Sequence, residues 1–251
     1  MEGRHVVVTG AGRGIGRAIA LRLARDGATL SLLARGVDGL QRTAEEAGGA
    51  FVHGVDIRDA HQVDTAFAAA AEANGPIHAL VANSGIGGPN DPGPGDRFED
   101  LVATNLVGTY RCIRAAARAL ASGPERRDVV VISSILARIA VPGYTGYSAS
   151  KAGLLGLVRS FAAELAPDNV QVNAICPGWV DTDMAWQGID LMAEAMGTTR
   201  EAAYDAAMRE VPLRRMSEPE DVAGTVAWLL SRDARGVTGQ AIDQNGGAFV
   251  S

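Results

Sequence analysis

Tyr147 and Lys151 stand four positions apart in Tyr147-Ser148-Ala149-Ser150-Lys151, a spacing that projects both side chains from one face of a helix. A free tyrosine titrates near 10 and is a poor base at neutral pH. A neighbouring ammonium favours the phenolate. Lowering the phenol to about 7 takes roughly 3 units, or about 4 kcal/mol, and two cations in a partly desolvated cleft can supply that. Such a pair could exchange a proton with a carbonyl or alcohol oxygen. Ser133-Ser134 lies upstream, and a hydroxyl there could donate to the same oxygen as charge develops on it. Asn105, in Thr104-Asn105-Leu106-Val107-Gly108, is a polar residue in an apolar helical stretch. That is costly unless its amide bonds something.

Thr9-Gly10-Ala11-Gly12-Arg13-Gly14-Ile15-Gly16 follows an apolar run and opens a helical one. Glycine permits a positive φ and close approach of backbone to a ligand. The helix N-terminus then offers unpaired N–H groups to a pyrophosphate. This strand-turn-helix setting predicts a dinucleotide site around Gly10, Gly14, Ile15 and Gly16. Dinucleotide folds that use NAD place an acid at the end of the second strand, where it repels a 2′-phosphate. Here that strand ends Leu33-Ala34-Arg35. Arg35 and Arg13 form a sensible two-guanidinium clamp for a phosphate. NADP(H) is therefore favoured and NAD(H) remains possible. Asp56, followed by Ile57, ends the third apolar run and could accept from an adenine amino group or cap the next turn.

The elements that must position these residues alternate along the chain. Short apolar runs at His5–Thr9, Thr29–Ala34, Ala50–Val55, Ala79–Ala82, Val129–Ile132, Val170–Ile175 and Gln240–Asp243 read as strands covered on both faces. Helical patterns fall at Ile15–Asp26, Gly39–Ala47, Ala60–Asn74, Phe98–Leu120, Ser148–Leu165 and Pro219–Leu230. The alternation predicts a parallel sheet with helices on both sides. Ser217 with Glu220 reads as a capping box for the last helix. Gly85–Gly95 reads as one surface loop. Met184–Pro212 reads as a partly helical insertion or a mobile lid over a cleft.

Composition narrows the classes. The chain has 251 residues, 47% hydrophobic and 21% charged, with a formal net charge of −6, which is ordinary for one globular domain. It carries no basic stripe, which argues against nucleic acid or an anionic membrane. Cys112 and Cys176 form no metal-ligand or disulfide pattern, so no metal is expected and both read as core thiols in a reducing compartment. No leader or run of about 20 apolar residues is present. The expected location is cytoplasmic.

In these motifs and their order the chain resembles the short-chain dehydrogenase/reductase family, from Val6 to Gly247. The glycine turn has the TGxxxGxG form, and the YxxxK pair follows. Ser134 precedes Tyr147 by the family's interval. Asn83-Ser84-Gly85 stands where the family shows Asn-Ala-Gly. Pro177-Gly178-Trp179-Val180-Asp181-Thr182 is similar to its PGxxxT segment. The resemblance implies a Rossmann-type, doubly wound α/β fold with a parallel sheet of about seven strands. It implies hydride transfer between a nicotinamide and a ketone or secondary alcohol, with Tyr147 as general acid/base, Lys151 on the nicotinamide ribose, Ser134 on the substrate oxygen and Asn105 in a proton relay. The positive nicotinamide ring would be the second cation beside Tyr147. Asn83 would flank the cofactor ribose, and Pro177, Gly178, Val180 and Thr182 would hold the carboxamide. Leu136, Pro142, Trp179, Met184 and Trp186 are expected to line an apolar pocket for a small molecule. The alternatives are a reductase of 3-oxoacyl thioesters on acyl carrier protein or CoA, and a nucleotide sensor without catalysis. A homotetramer is expected from the family.

Overall fold

The computed structural model describes residues 1–250. Among these residues seven strands form one parallel sheet: β1 His5–Thr9, β2 Thr29–Ala34, β3 Phe51–Gly54, β4 Ala79–Ala82, β5 Arg127–Ile132, β6 Val170–Pro177 and β7 Ala241–Gln244. Their order across the sheet is β3-β2-β1-β4-β5-β6-β7, every neighbour parallel. The expected doubly wound α/β architecture is present. The order reverses direction between β1 and β4, the crevice where ligands bind in open α/β sheets.

Strand side chains alternate between two cores. Val6 and Val8 join Leu30, Leu32, Val81, Val130 and Ile175 on one face. Helices α1 Gly14–Arg25, α2 Val37–Glu46 and α9 Pro219–Leu230 cover it through Ile19, Leu23, Leu40, Val222 and Val226. Val7, Leu33, Leu80, Val129, Val131 and Val172 point to the other face. There α3 Ala60–Asn74, α5 Thr109–Ala119 and α6 Thr145–Leu165 bring Val63, Phe67, Ile113, Leu154 and Phe161. Two-sided burial explains why the strands read as unbroken apolar runs. Cys112 and Cys176 are free and buried.

Two local readings change. The expected helix over Phe98–Leu120 is broken into α4 Phe98–Val102, a π-helical turn Ala103–Gly108 and α5. A Cβ at Gly108 would lie 2.7 Å from Ile57 Cδ1, so Ile57 packs on bare backbone where the widened turn passes it. The capping box of α9 is Glu218 with Asp221, one position later than Ser217 with Glu220. Ser217 is held extended instead: its N–H donates to Trp179 O and its carbonyl accepts from Asp181 N–H, both at 2.9 Å. The insertion after β6 is two helices, α7 Asp183–Met196 and α8 Arg200–Arg209. They share a small core of Ile189, Ala193, Ala203, Ala207 and Met208.

The opposite edge of the sheet holds a histidine pair. His5 is 1% exposed, with Nδ1 2.8 Å from Gly75 O and Nε2 2.8 Å from Ser31 Oγ. A carbonyl only accepts, so Nδ1 carries the proton and Nε2 accepts. Its backbone N–H donates to His78 Nδ1 at 3.1 Å. Burial lowers both histidines below their ordinary range, and the Arg4 charge adds to the effect on His78. The unfolded chain then binds these protons more readily, so their contribution is complete above about pH 6.5 and is lost as pH falls toward the lowered folded values. The melting temperature should drop between about pH 6.5 and pH 5, where carboxylates are still mostly ionised. A flat or rising melting curve over that interval, measured by scanning calorimetry, would contradict this.

Candidate active site

In a parallel sheet all strands end at the same edge. The segments after Thr9, Ala34, Gly54, Ala82, Ile132, Pro177 and Gln244 therefore meet there, and these segments carry nearly every residue singled out from the sequence.

The turn after β1 is packed on its own backbone. A Cβ at Gly16 would lie 2.2 Å from Gly10 O and 2.5 Å from Asn83 Nδ2. Gly10 has φ +70° and Gly14 +52°, a left-handed geometry that costs little only for glycine. Asn83 Nδ2 donates to Thr9 O at 3.0 Å and Gly10 O at 3.2 Å, and Thr9 Oγ1 accepts from the N–H groups of Asn83 and Ser84. Asn83 thus laces β4 to the glycine turn. Arg13 is the N-cap of α1 yet makes no side-chain cap bond, and the first turn has no acid. The first N–H groups of the helix thus have no side-chain cap, an arrangement that suits a bound phosphate. Ile15 is partly buried against the α1 core. Arg13 makes one exposed ion pair with Asp183 at 3.4 Å, a contact worth at most about 1 kcal/mol.

Arg35 is exposed at the end of β2. Asp56 is already engaged: it accepts from Arg58 N–H at 2.9 Å, Nε at 3.1 Å and Nη2 at 2.7 Å. The Arg58 guanidinium holds the Asp56 carboxyl below the usual range, with Arg35 adding a smaller effect. Capping of the following turn is thus the role of Asp56 that this geometry carries. The Ile57 side chain lies in the core.

The proton-transfer residues meet on α6 and the segments facing it. Lys151 is 5% exposed, and its Nζ donates to Ile132 O at 3.0 Å. Nζ lies 5.7 Å from the Tyr147 ring centroid. Asn105 is fully buried: Oδ1 accepts from Ile86 N–H at 2.8 Å and Nδ2 donates to Ile86 O at 3.0 Å and Ser150 Oγ at 3.1 Å. Ser150 Oγ donates to Tyr147 O at 2.7 Å. The amide that looked costly in sequence is fully bonded, and the π turn is what aims it at the loop after β4. Ser133 is occupied, donating to Lys151 O at 2.9 Å. Ser134 is 8% exposed; its Oγ accepts from Leu136 N–H at 3.1 Å, and its hydroxyl hydrogen-bonds with the Tyr147 phenol.

The expected depression of the Tyr147 pKa is absent from the chain's own field. Burial pushes the phenol up, the Ser134 hydroxyl opposes this, and Tyr144 adds to it. Lys151 is itself pushed down to about 8 by burial, so near neutrality it still mostly carries its charge, yet that charge does not outweigh the burial of the phenol. The rest of the lowering would have to come from a bound cation.

Thr182 Oγ1 donates to Val180 O at 3.1 Å and accepts from Ala185 N–H at 3.4 Å, capping α7. Val180 is buried and bridges Ser217. A Cβ at Gly178 would lie 3.0 Å from Asn245 Cα, so the Pro177-Gly178 turn leans on the C-terminal segment. Of the expected pocket residues, Met184 reaches the loop after β4, with its Sδ 2.7 Å from a Cβ placed on Gly87. Leu136 is partly exposed and Pro142 exposed. Trp179 packs on Gly188, and Trp186 stacks on Tyr204 at 5.5 Å while donating to Asp181. Trp186 lines a cleft of about 390 Å³ with Arg200, Glu201, Tyr204 and Asp205, none of them from the elements holding Tyr147 or Ser134. Sequence reasoning missed Thr9 and Ser150. Each lies inside a motif it quoted, but a hydroxyl serving backbone has no spacing signature.

The match to the family model described as enoyl-(acyl carrier protein) reductase spans residues 10–248. The 3-oxoacyl-(acyl-carrier-protein) reductase MabA of Mycobacterium tuberculosis is 35% identical over 246 residues, covering 97% of this chain and 92% of the relative. The L-rhamnose 1-dehydrogenase (NAD(P)(+)) of Azotobacter vinelandii is 37% identical over 259 residues, covering 99% and 97%. A crystal structure of a variant actinorhodin polyketide ketoreductase with NADPH superposes with a TM-score of 0.91 at 34% identity, covering 98% of this chain and 97% of that one.

Proposed function

The chain belongs to the short-chain dehydrogenase/reductase family, and we propose that it is an oxidoreductase that transfers a hydride between NADP(H) and a ketone or secondary alcohol. The observation that carries this is the convergence of Tyr147, Lys151, Ser134 and Asn105 at the sheet edge beside an uncapped helix N-terminus. Bound NADPH would supply the hydride. Tyr147 gives its proton to the substrate oxygen, and in the reverse direction the tyrosinate takes it back. Ser134 donates to the same oxygen as it becomes negative. Lys151, fixed by Ile132 O, would hold the cofactor ribose and keeps a positive charge near the phenol. Asn105 ties the loop after β4 to α6. Burial keeps Tyr147 protonated, which suits the reductive direction.

The glycine turn would hold the pyrophosphate, with Asn83 beside the ribose and Pro177, Gly178, Val180 and Thr182 beside the carboxamide. Arg35 and Arg13 would take the 2′-phosphate, Arg13 leaving its weak pair with Asp183. Helices α7 and α8 act as a lid over a small-molecule substrate within one domain. Met184, Leu136 and Trp179 are the proposed pocket residues, with Trp186 in support of the lid. The resemblance also supports a homotetramer, and the composition supports a cytoplasmic location. Among the described residues no helix is long and apolar enough to cross a membrane.

Reduced-nicotinamide absorbance with cyclohexanone, acetophenone and acetoacetyl-CoA, each with NADPH and NADH, tests the reading. Turnover of acetoacetyl-CoA alone would favour the 3-oxoacyl-thioester reductase that relatives such as MabA represent. No turnover of any of these carbonyls despite tight NADPH binding would refute the reductase reading.

The phosphate clamp gives a separate expectation. Ala34→Asp puts a carboxylate where a 2′-phosphate would sit. Two like charges about 4 Å apart at an effective dielectric of 20 repel by about 4 kcal/mol, before solvent and salt reduce it. The ratio of kcat/KM for NADPH over NADH should fall roughly a hundredfold. An unchanged ratio would show that Ala34 and Arg35 do not face that phosphate.

A further inference from the structure

Asn90 lies in the Gly/Pro-rich segment that reads as a surface loop, yet it is only 8% exposed. Its backbone N–H donates to Gly143 O at 2.9 Å. Its Oδ1 accepts from Gly146 N–H at 2.8 Å. Its Nδ2 donates to Asp96 Oδ1 at 3.1 Å and to Thr145 Oγ1 at 3.0 Å. Thr145 and Gly146 form the first turn of α6, immediately before Tyr147. The N-cap of that helix, Tyr144, makes no side-chain cap bond. The helix carrying Tyr147 is therefore capped by a side chain 56 positions away in sequence.

Asp96 completes the joint. Its Oδ1 also accepts from Phe98 N–H at 2.9 Å, at the head of α4. The two helix heads are pressed together: a Cβ on Gly146 would lie 3.0 Å from Phe98 Cα and 3.1 Å from Leu101 Cδ1. The same loop meets α7 through Gly87 and Met184, and meets Asn105 through Ile86. Asn90 is thus where the loop, the head of α4 and the first turn of α6 are tied.

We propose that Asn90 is a positioning residue for proton transfer: it fixes the first turn of α6 against the loop and so sets where the Tyr147 hydroxyl meets the substrate oxygen. This rests on Tyr147 being the proton donor. The amide is needed because Oδ1 must accept from Gly146 while Nδ2 donates to a carboxylate, and no other side chain of that size does both.

The experiment compares Asn90→Ala, Asn90→Asp and the exchange Asn90→Asp with Asp96→Asn in the full-length chain. Tyr147→Phe serves as reference, and the ketone is the one reduced fastest in the panel. Misplacing a reacting group by about 1 Å costs roughly a hundredfold, so Asn90→Ala should lower kcat about tenfold to a hundredfold while the NADPH dissociation constant moves less than about twofold. Asn90→Asp sets two carboxylates against each other and should also lower kcat. The exchange restores a donor and an acceptor with their places reversed, and should recover kcat to within about threefold of the parent, a coupling that independent sites do not show. The proposal is overturned by a kcat for Asn90→Ala within about twofold of the parent, or by kcat and NADPH affinity falling together. It is also overturned if the exchange is no better than Asn90→Asp alone. Should Asn90→Ala fail to fold, the two size-conserving variants decide. An active Tyr147→Phe sinks the donor assignment itself, whereas an inactive one with a normal Asn90→Ala sinks only the role of Asn90.

Discussion

Tyr147→Phe is expected to lower kcat for ketone reduction by roughly 10²- to 10⁴-fold, the usual worth of a positioned general acid. The substitution removes one oxygen and leaves the ring, so its edge contact with Tyr144 at 6.5 Å and its place beside Lys151 persist. Asn105 and Ser150 bond backbone atoms or each other and do not depend on the phenol. The melting temperature and the NADPH dissociation constant should therefore stay close to the parent values. Single-turnover kinetics with bound NADPH separates the chemical step from product release. A variant that kept more than about a tenth of the parent rate would show that another group delivers the proton. Ser134 would then be the next candidate, being the hydroxyl that hydrogen-bonds with the Tyr147 phenol.

Gly16→Ala should be the most damaging single-methyl change at the site. The added Cβ would sit 2.2 Å from Gly10 O, 2.8 Å from Gly10 C and 2.5 Å from Asn83 Nδ2. Two of those atoms are backbone of a turn already held by Thr9 and Asn83, so the strain cannot go into a flexible side chain. Overpacking of this kind costs about 3 kcal/mol or more, and in a chain of this size that lowers the melting temperature by about 6–12 °C. The same displacement opens the spacing between the glycine turn and Asn83, so NADPH affinity should fall sharply in whatever remains folded. Gly224→Ala is the control. It lies inside α9 with nothing closer than Arg22 Nη1 at 3.8 Å, and removing a helix-interior glycine should add about 0.5–1 kcal/mol. Calorimetry and cofactor titration of the two variants read both effects. A Gly16→Ala protein with the parent's stability would mean that the turn is looser than its packing shows.

The layout of the sheet was legible because burial on both faces leaves a clear mark: Val6-Val7-Val8 and Val129-Val130-Val131 have no polar partner in the alternation. The glycine turn and Tyr147–Lys151 were legible for a similar reason, since their chemistry depends on spacing within a few residues. What escaped notice depends on contacts between distant segments. Asn90 looks like a turn former among glycines and prolines, and only the fold reveals Gly146 above it. Ser217 resembles an N-cap until Trp179 and Asp181 claim its backbone, and Pro219 then sets Glu218 as the cap. Asp56 was read as an acceptor for an adenine amino group or as a cap, and the spacing gave no sign that the arginine two residues on answers its charge. The chain's own effect on Tyr147 could not be read from spacing, which reports a neighbouring ammonium and says nothing of desolvation, and desolvation acts on Tyr147 and Lys151 alike.

The π turn at Ala103–Gly108 has a consequence for any effort to harden this protein. Each residue of a regular helix turns the chain by about 100°, and a π turn is one residue too many, kept at some cost in helix geometry. Deleting a single residue there would merge α4 and α5 into one regular helix. It would also swing Asn105 about 100° away from Ile86 and Ser150 on that same geometry. Any gain from the more regular helix would be set against the cost of stranding a buried amide, and the firmer helix would hold an asparagine that faces the wrong way.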